Sequence, residues 1–434
     1  VKRSIGALSV LTLLGAATVV PAGAAKKAEL PADVVRFHIL NVGQGDATII
    51  EGPRDASGDR KVMIVDAPET RMAGNESQHV IEPYLRNKLD DGPRARPILD
   101  VDYVIPTHYH LDHIGSTRSK EATGIFYLWE ALNIRVGKLL DTGLDYDAAG
   151  EGEVNYRRWV KENRVERETL RFDQQGEDRQ IDMGEGMWVE PLAIGAKVEG
   201  RGRVVADKWL STTSQNDFST ALVIHYKQFD FFVAGDLSGY LHESWGAWYH
   251  SIESAMYPHL RRLELYRVNH HGSQWSTNYP FLQRIQPLAS VISAGRGHKH
   301  PNEYAIKRIL GFEDYWTGKP IGSDIFQTQN DGGYLMEEPH PHTEKVQHIA
   351  NGDIIVETDG VTSFVVHVPG REPYVYPLHP DKAQVAPPKS VLEARRREVD
   401  DFDKADDWGR VYDRDDVAAG RVSGPTVDDM GGAD

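Results

Sequence analysis

The chain of 434 residues contains no cysteine. This excludes disulfides, and it excludes a lipid-bearing cysteine behind any leader. Any bound metal must be held by His, Asp or Glu, a nitrogen and oxygen donor set that favours zinc or manganese. Long apolar runs are equally scarce. One stands at the start, where Lys2 and Arg3 precede the mostly apolar Ile5 to Val20 and the small-residue exit Pro21-Ala22-Gly23-Ala24. This reads as a signal peptide over residues 1–25, with an uncleaved anchor as the alternative. The run falls short of the roughly 20 residues a membrane span requires. No later stretch is long and apolar enough to cross a bilayer as a helix, so a channel built of hydrophobic helical spans is excluded. The expectation is a secreted or periplasmic protein with no stable membrane insertion once the signal is removed. An excess of positive charge is also lacking, for the formal net charge is −16. From Glu398 to Asp434 the chain carries twelve acidic and four basic residues, so half of that charge lies in the tail. A mildly acidic body argues against a protein that coats DNA by electrostatics alone, and says nothing against an enzyme whose metals supply positive charge.

What is present is a succession of short strands, each leading to polar residues. Val34 to Leu40, Ala47 to Glu51 and Val62 to Asp66 read as strands, and His79 to Leu89 reads as a helix with Ile81, Tyr84, Leu85 and Leu89 on one face. Leu99 to Pro106 is a buried-type strand. Further strands are expected at Ser219 to Tyr226, Phe229 to Ala234, Leu263 to Val268, Ala289 to Ser293, Gly352 to Thr358 and Val361 to Val368. Residues 144–208 are charged and weakly periodic and read as an insertion holding a few strands, such as Met187 to Ile194, and a short helix. One domain is therefore expected over residues 34–380. An acidic, disordered tail follows over 381–434, too poor in apolar residues to offset its ordering entropy.

The strand at Leu99 to Pro106 delivers Thr107-His108-Tyr109-His110-Leu111-Asp112-His113. Side chains at i and i+2 of an extended chain point the same way, so His108 and His110 can grip one metal. Asp112 and His113 lie past that point and can address a second. Downstream, Asp236 follows the apolar run Phe231 to Ala234 and a glycine, where a carboxylate could bridge two ions; alone, such a Gly-Asp pair is an ordinary turn. His270-His271-Gly272-Ser273 leaves another strand. His270, first off the strand, is the ligand choice. His271 is left to support it, to touch substrate or to be structural.

The order and wording of these pieces resemble the metallo-β-lactamase superfamily and, within it, the soluble nuclease-like domain of the DNA-uptake channel ComEC; secreted phosphorylcholine esterases look similar. The resemblance rests on FHILNVGQGDATII, THYHLDHIGS, DFSTALVIHY with FFVAGDLS, VNHHGS and SAGRGHKHP, spread between Val34 and Val368. It implies an α/β fold, a four-layer αββα sandwich, with a two-metal site at one edge of the paired sheets. It further implies a phosphodiester substrate, with DNA or RNA leading, a small phosphodiester such as a phosphorylcholine ester next, and lactone or β-lactam third. A metal-retaining binding module without turnover is the alternative of another class. Many superfamily members place another histidine about twenty residues before the bridging aspartate; here that stretch is Ser214-Gln215-Asn216-Asp217. Asn216 or Asp217 could stand in, directly or through water. His225 is expected to be a sheet residue.

Asp112, His271 and His300 are the candidates for catalytic roles, and Ser273, Arg296 and Lys299 for substrate contact. Asp46, in a turn framed by Gly43 and Gly45, orients a metal ligand, faces substrate or merely caps the turn; Asp66 is read as structural. Arg296, Lys299, Lys307 and Arg308, opposed only by Glu303, form a basic strip that could follow a phosphate backbone or simply line a solvated helix. No protein partner is evident from the sequence.

Overall fold

The computed structural model describes residues 33–68, 80–89, 99–117, 122–130, 134–143, 151–174, 178–205, 210–211, 213–244, 246–295, 298–314 and 317–380. The expected signal peptide and acidic tail lie outside them. Among the described residues, no helix is long and apolar enough to cross a membrane.

The first half of the chain lays down β1 (Val35–Ile39), β2 (Thr48–Arg54), β3 (Arg60–Val65), β4 (Leu99–Ile105), β5 (Ile134–Asp141) and β6 (Arg167–Thr169). Between them run α1 (Ile81–Lys88), α2 (Leu111–Ile114), α3 (Gly124–Glu130) and α4 (Glu151–Asn163). There follow β7 (Met187–Ile194), β8 (Lys197–Val198), β9 (Gly202–Arg203), β10 (Ala221–Tyr226), β11 (Phe229–Val233), and a separate hairpin of β12 (His242–Ser244) and β13 (Ala247–Tyr249). The chain then forms α5 (Ile252–Met256), β14 (Leu265–Arg267), α6 (Tyr279–Ile285), β15 (Ala289–Ile292), α7 (Glu303–Gly311), β16 (Asp324–Gln327) and β17 (Gln347–Ile349). It closes with β18 (Ile354–Thr358), β19 (Ser363–His367) and β20 (Tyr374–Pro377).

Two large sheets result. One runs in the order β20-β19-β18-β1-β2-β3-β4-β5-β6, the other β17-β16-β15-β14-β11-β10-β7-β8-β9. Their strands are apolar on both faces because each sheet is covered twice. Alternation decides which face goes where. Val35, Phe37 and Ile39 of β1, Leu222 and Ile224 of β10, and Phe229, Phe231 and Val233 of β11 meet in a core between the sheets. The opposite parity, including Ile49, Val62 and Ile64 in one sheet and Val223 and Phe232 in the other, belongs to a second core shared with the helices. There Tyr84 and Leu85 of α1, Phe126 of α3 and Trp159 of α4 cover one sheet, while Ile252 of α5, Phe281 of α6 and Ile306 of α7 cover the other. This is the four-layer αββα sandwich of the metallo-β-lactamase fold.

The segment read as an insertion supplies parts of both sheets. β6 pairs parallel with β5, and β7 pairs antiparallel with β10. Its helix α4 also braces the histidine-rich loop after β4. A Cβ at Gly152 would lie 1.7 Å from the Tyr109 carbonyl oxygen, so only glycine permits that approach. Tyr156 stacks on Tyr109 with ring centroids 4.5 Å apart and donates to Asp141 Oδ2 at 2.6 Å. The strands β16, β17 and β20, and the hairpin β12–β13, were not anticipated; each is three or four residues long, too short for a period to declare itself.

Candidate metal centre

Parallel pairing brings strand ends together. β3 and β4 run parallel in one sheet, and β11, β14 and β15 run parallel in the other. Their carboxyl ends therefore emerge at common edges, and the residues just beyond them are Asp66, Thr107 to His113, Asp236, Asn269 to His271 and Ser293. Backbone hydrogen bonds tie these segments to one another, and one of them joins the two sheets. Thr220 N donates to Thr107 O at 2.8 Å, and His270 N to Gly235 O at 3.0 Å. Ala67 N donates to His113 O at 2.7 Å, and Asp46 N to Asp112 O at 3.1 Å. Gly45 (φ 121°) is another position where only glycine fits, since its Cβ would lie 2.5 Å from Asp112 O.

The loops assemble three overlapping groups with the spacing of metal ligands. Asp112, His113, Asp236 and His271 form one, and His108, His110 and Asp236 form another; within each group one ligand atom per residue lies within 4.8 Å of the others. Asp236 belongs to both, as a bridging carboxylate would. A third group, Asp46, Asp66 and His113, lies behind the first.

The rear carboxylates aim the imidazoles. Asp66 Oδ1 accepts from Thr107 N at 2.7 Å, its Oδ2 accepts from Thr107 Oγ1 at 2.8 Å, and Oδ2 also lies 2.8 Å from His113 Nδ1. His271 Nδ1 is 3.0 Å from Ser293 O and 3.2 Å from Asp46 Oδ1. With Nδ1 engaged as donor, each ring turns its Nε2 lone pair to the front. His113 Nε2 lies 3.2 Å from Asp236 Oδ1, and His271 Nε2 lies 3.5 Å from Asp236 Oδ1 and from Asp112 Oδ2. His113 Nε2, His271 Nε2 and Asp236 Oδ1 are buried without a hydrogen-bond partner among the described residues. Buried polar atoms are rarely left so. A divalent cation held by nitrogen and oxygen donors answers that need, so the residues present fit a metal.

The electrostatics ask for the same thing. Burial works against a charge on His113, yet Asp236, Asp66 and Asp112 raise its pKa well above the ordinary value. Against burial, Asp236 and Asp46 push His271 up to about 10. Burial, with His113 and His110 nearby, keeps His108 well below the ordinary value. Burial would raise Asp236, but His113, His271 and His270 hold it well below the usual carboxylate range. The cluster is anionic and draws positive charge to its centre.

The structure differs from the sequence reading at the histidine pair. His270 and His271 both have left-handed backbones (φ 49° and 50°), and this turn carries the second histidine, not the first, into the group with Asp112, His113 and Asp236. His270 Nε2 lies 3.8 Å from Asp236 Oδ2 and 3.4 Å from Asn216 Nδ2, and burial lowers its pKa to about 4. His300 lies beside it, with ring centroids 5.6 Å apart and 6.3 Å to His271.

The remaining candidates separate. Asn216 stands next to His270, with its Oδ1 buried and unpartnered among the described residues. Asp217 turns away, its Oδ2 accepting from His250 N at 2.6 Å and lying 2.8 Å from His250 Nδ1. Ser273 is buried in the turn, where its N donates to His270 O at 2.8 Å and its Oγ accepts from Trp275 N. Lys299 is exposed, and Arg296 lies outside the described residues. Two of the four residues of the basic strip are engaged elsewhere. Lys307 pairs with Glu303 at 2.5 Å, and Arg308 is buried, donating to Tyr240 Oη and to Gln274 O. His225 is a sheet residue, as expected, flanked by Asp230 and Glu190 and stacked on Trp188. Sequence reasoning passed over Arg267, although a charged residue inside the apolar run Leu265 to Val268 was a visible signal.

No curated protein matches the chain. Among solved structures, one similar chain is described as CmlA, a diiron beta-hydroxylase from Streptomyces venezuelae. The likeness is slight, with a TM-score of 0.32 and 12% identity over 60% of this chain and 45% of that one. Residues 40–119 match the profile of the Metallo-beta-lactamase superfamily. That stretch runs from the end of β1 through the whole His108-to-His113 loop, so the similarity falls on His108, His110, Asp112 and His113 among the metal-ligand candidates.

Proposed function

We infer that the protein is a metal-dependent hydrolase with a two-metal centre, acting on a small phosphodiester. The observation that carries the reading is the convergence of His113 Nε2, His271 Nε2 and Asp236 Oδ1, buried and unpartnered among the described residues, on one point. His108, His110 and Asp236 would hold one ion, and Asp112, His113, Asp236 and His271 the other. Zinc or manganese suits this cysteine-free donor set. Two such ions would supply Lewis acidity to a phosphoryl or carbonyl oxygen and acidify a water at neutral pH.

The protein's own residues do the rest. Asp66 and Asp46 keep His113 and His271 in the tautomer that presents Nε2. Asn216, His270 and His300 line the neighbouring side, where burial keeps both histidines neutral at pH 7. A neutral imidazole there has an N–H to donate to a leaving-group oxygen and a second nitrogen to accept from water. The phosphodiester class follows the resemblance to the ComEC-like branch. The preference for a small substrate over nucleic acid follows from Lys307 and Arg308, whose charges are committed elsewhere.

The test is metal analysis of the purified chain joined to a substrate screen. Two equivalents of zinc or manganese and turnover of a chromogenic phosphodiester, with DNA and RNA cleaved poorly, are expected. Faster cleavage of DNA, with a steep loss on added salt, would replace the small substrate by nucleic acid. Turnover confined to lactones, or metal binding without any turnover, would overturn the reading. Export, inferred from residues 1–25, would show as a mature amino terminus near Ala25 in the culture medium or periplasm.

A further inference from the structure

We propose that Arg267 is a positioning residue for the second ion, acting through Asp46 on His271; this rests on the metal reading above. Arg267 closes β14, four residues before His271, and is 1% exposed. A guanidinium is always charged, and burying one requires a partner. Its partner is Asp46, whose Oδ1 accepts from the Arg267 guanidinium. The same Oδ1 lies 3.2 Å from His271 Nδ1. The other oxygen, Oδ2, is buried without a partner among the described residues.

Asp46 thus has two anchors, and both come from one stretch of the opposite sheet. It arrives from the turn between β1 and β2, reaching over to β14 and to the loop that β14 feeds. Among the described residues, no other hydrogen bond holds the carboxylate group in plane. If the guanidinium is removed, Oδ1 is free to rotate away, and the His271 ring keeps only Ser293 O behind it. The contrast with His113 is instructive. Asp66 is fixed by Thr107 N and Thr107 Oγ1 from the adjacent strand end, and needs no cation. Among the described residues the Asp46 carboxylate has no such donor from its own sheet, and Arg267 takes that part. The turn motif Gly43-Gln44-Gly45-Asp46 and the His270-His271 motif are therefore joined by a residue belonging to neither.

The experiment measures zinc affinity of the full chain by competition with a chromophoric chelator, beside melting temperature in EDTA. Arg267→Met should weaken one of two zinc ions by roughly 10–100-fold, the usual consequence of losing a ligand's support. Asp46→Asn should do the same, and the double variant should be no worse than either single one, because both act through one link. Arg267→Lys, which keeps the charge but loses the fork, should recover part of the affinity. Should Arg267→Met fail to fold, Asp46→Asn and Arg267→Lys decide the matter, and wild-type affinity in both would overturn the proposal. A lower melting temperature for Arg267→Met with unchanged zinc affinity would also overturn it, leaving a merely structural ion pair. Absence of zinc binding by the wild-type chain would overturn the metal reading itself; tight binding by wild type and variants alike overturns this proposal alone.

Discussion

Two consecutive non-glycine residues in the left-handed region carry strain of order 1–3 kcal/mol each, and here both are histidines at the candidate centre. The turn they make separates their rings, sending His271 to the ligand group and His270 toward Asn216 and His300. His271→Ala should therefore lose one of two bound metals, while His270→Ala should retain both and lose turnover. Metal content by elemental analysis checks this, and the opposite pattern would restore His270 as the ligand. The histidines, Asp112 and Asp236 were legible because they stand at the ends of apolar runs. The choice within the pair was not, because a loop's φ angles are not written in residue type when neither residue is glycine. Asp66 was read as structural, and its hydrogen bonds to Thr107 and His113 give that role a form.

At the scale of elements, the loop from Asn269 to Asn278 is held from α5 by one buried carboxylate. Glu253 accepts from Asn269 Nδ2 at 2.7 Å, Thr277 N at 2.6 Å and Asn278 N at 2.7 Å, so it fastens both ends of the segment bearing the histidines. Glu253→Ala would leave three buried donors unanswered and should cost about 3 kcal/mol or more. A urea midpoint within error of wild type would refute this. A different ion pair registers β1 against β18 and β19. His367 and Arg36, against the effect of burial, hold the Glu357 pKa down to about 2, from an ordinary 4.5. A depressed acid stabilises above its unfolded pKa and loses that contribution as pH falls through the folded one. Glu357→Gln should thus cost about 1 kcal/mol at pH 7, and the gap to wild type should close as pH falls from about 4 to 2. A gap that widens in acid would refute the sign. The strands on either side of this pair were readable from alternation. Helix α4 was harder, since its buried Tyr156 and Trp159 are set among charges, and Val154 on the same helix is half exposed.

Over the whole molecule, the sheets meet through aromatic rings. Phe37 of one sheet lies 5.4 Å from Phe229 and 5.2 Å from Phe231 of the other, ring centre to ring centre. Phe231→Ala should lower stability by about 3–5 kcal/mol and leave the metal stoichiometry unchanged; loss of metal at full stability would contradict a core remote from the site. The layered architecture could be expected from the motif order, but the seating of residues 187–205 inside the second sheet could not, because pairing partners are distant in sequence. The backbone ties among the loops of the centre have a further consequence. Asp46 N, Ala67 N, Thr220 N and His270 N each donate to a carbonyl of a different loop around the centre. None of these amides can meet water unless a neighbouring loop also departs. In deuterated solvent they should therefore exchange as a single slow class, at a rate set by global unfolding and not by local fraying. A mouth so bound opens to a ligand of fitting size without first rearranging, and saturation should follow one hyperbola with no lag.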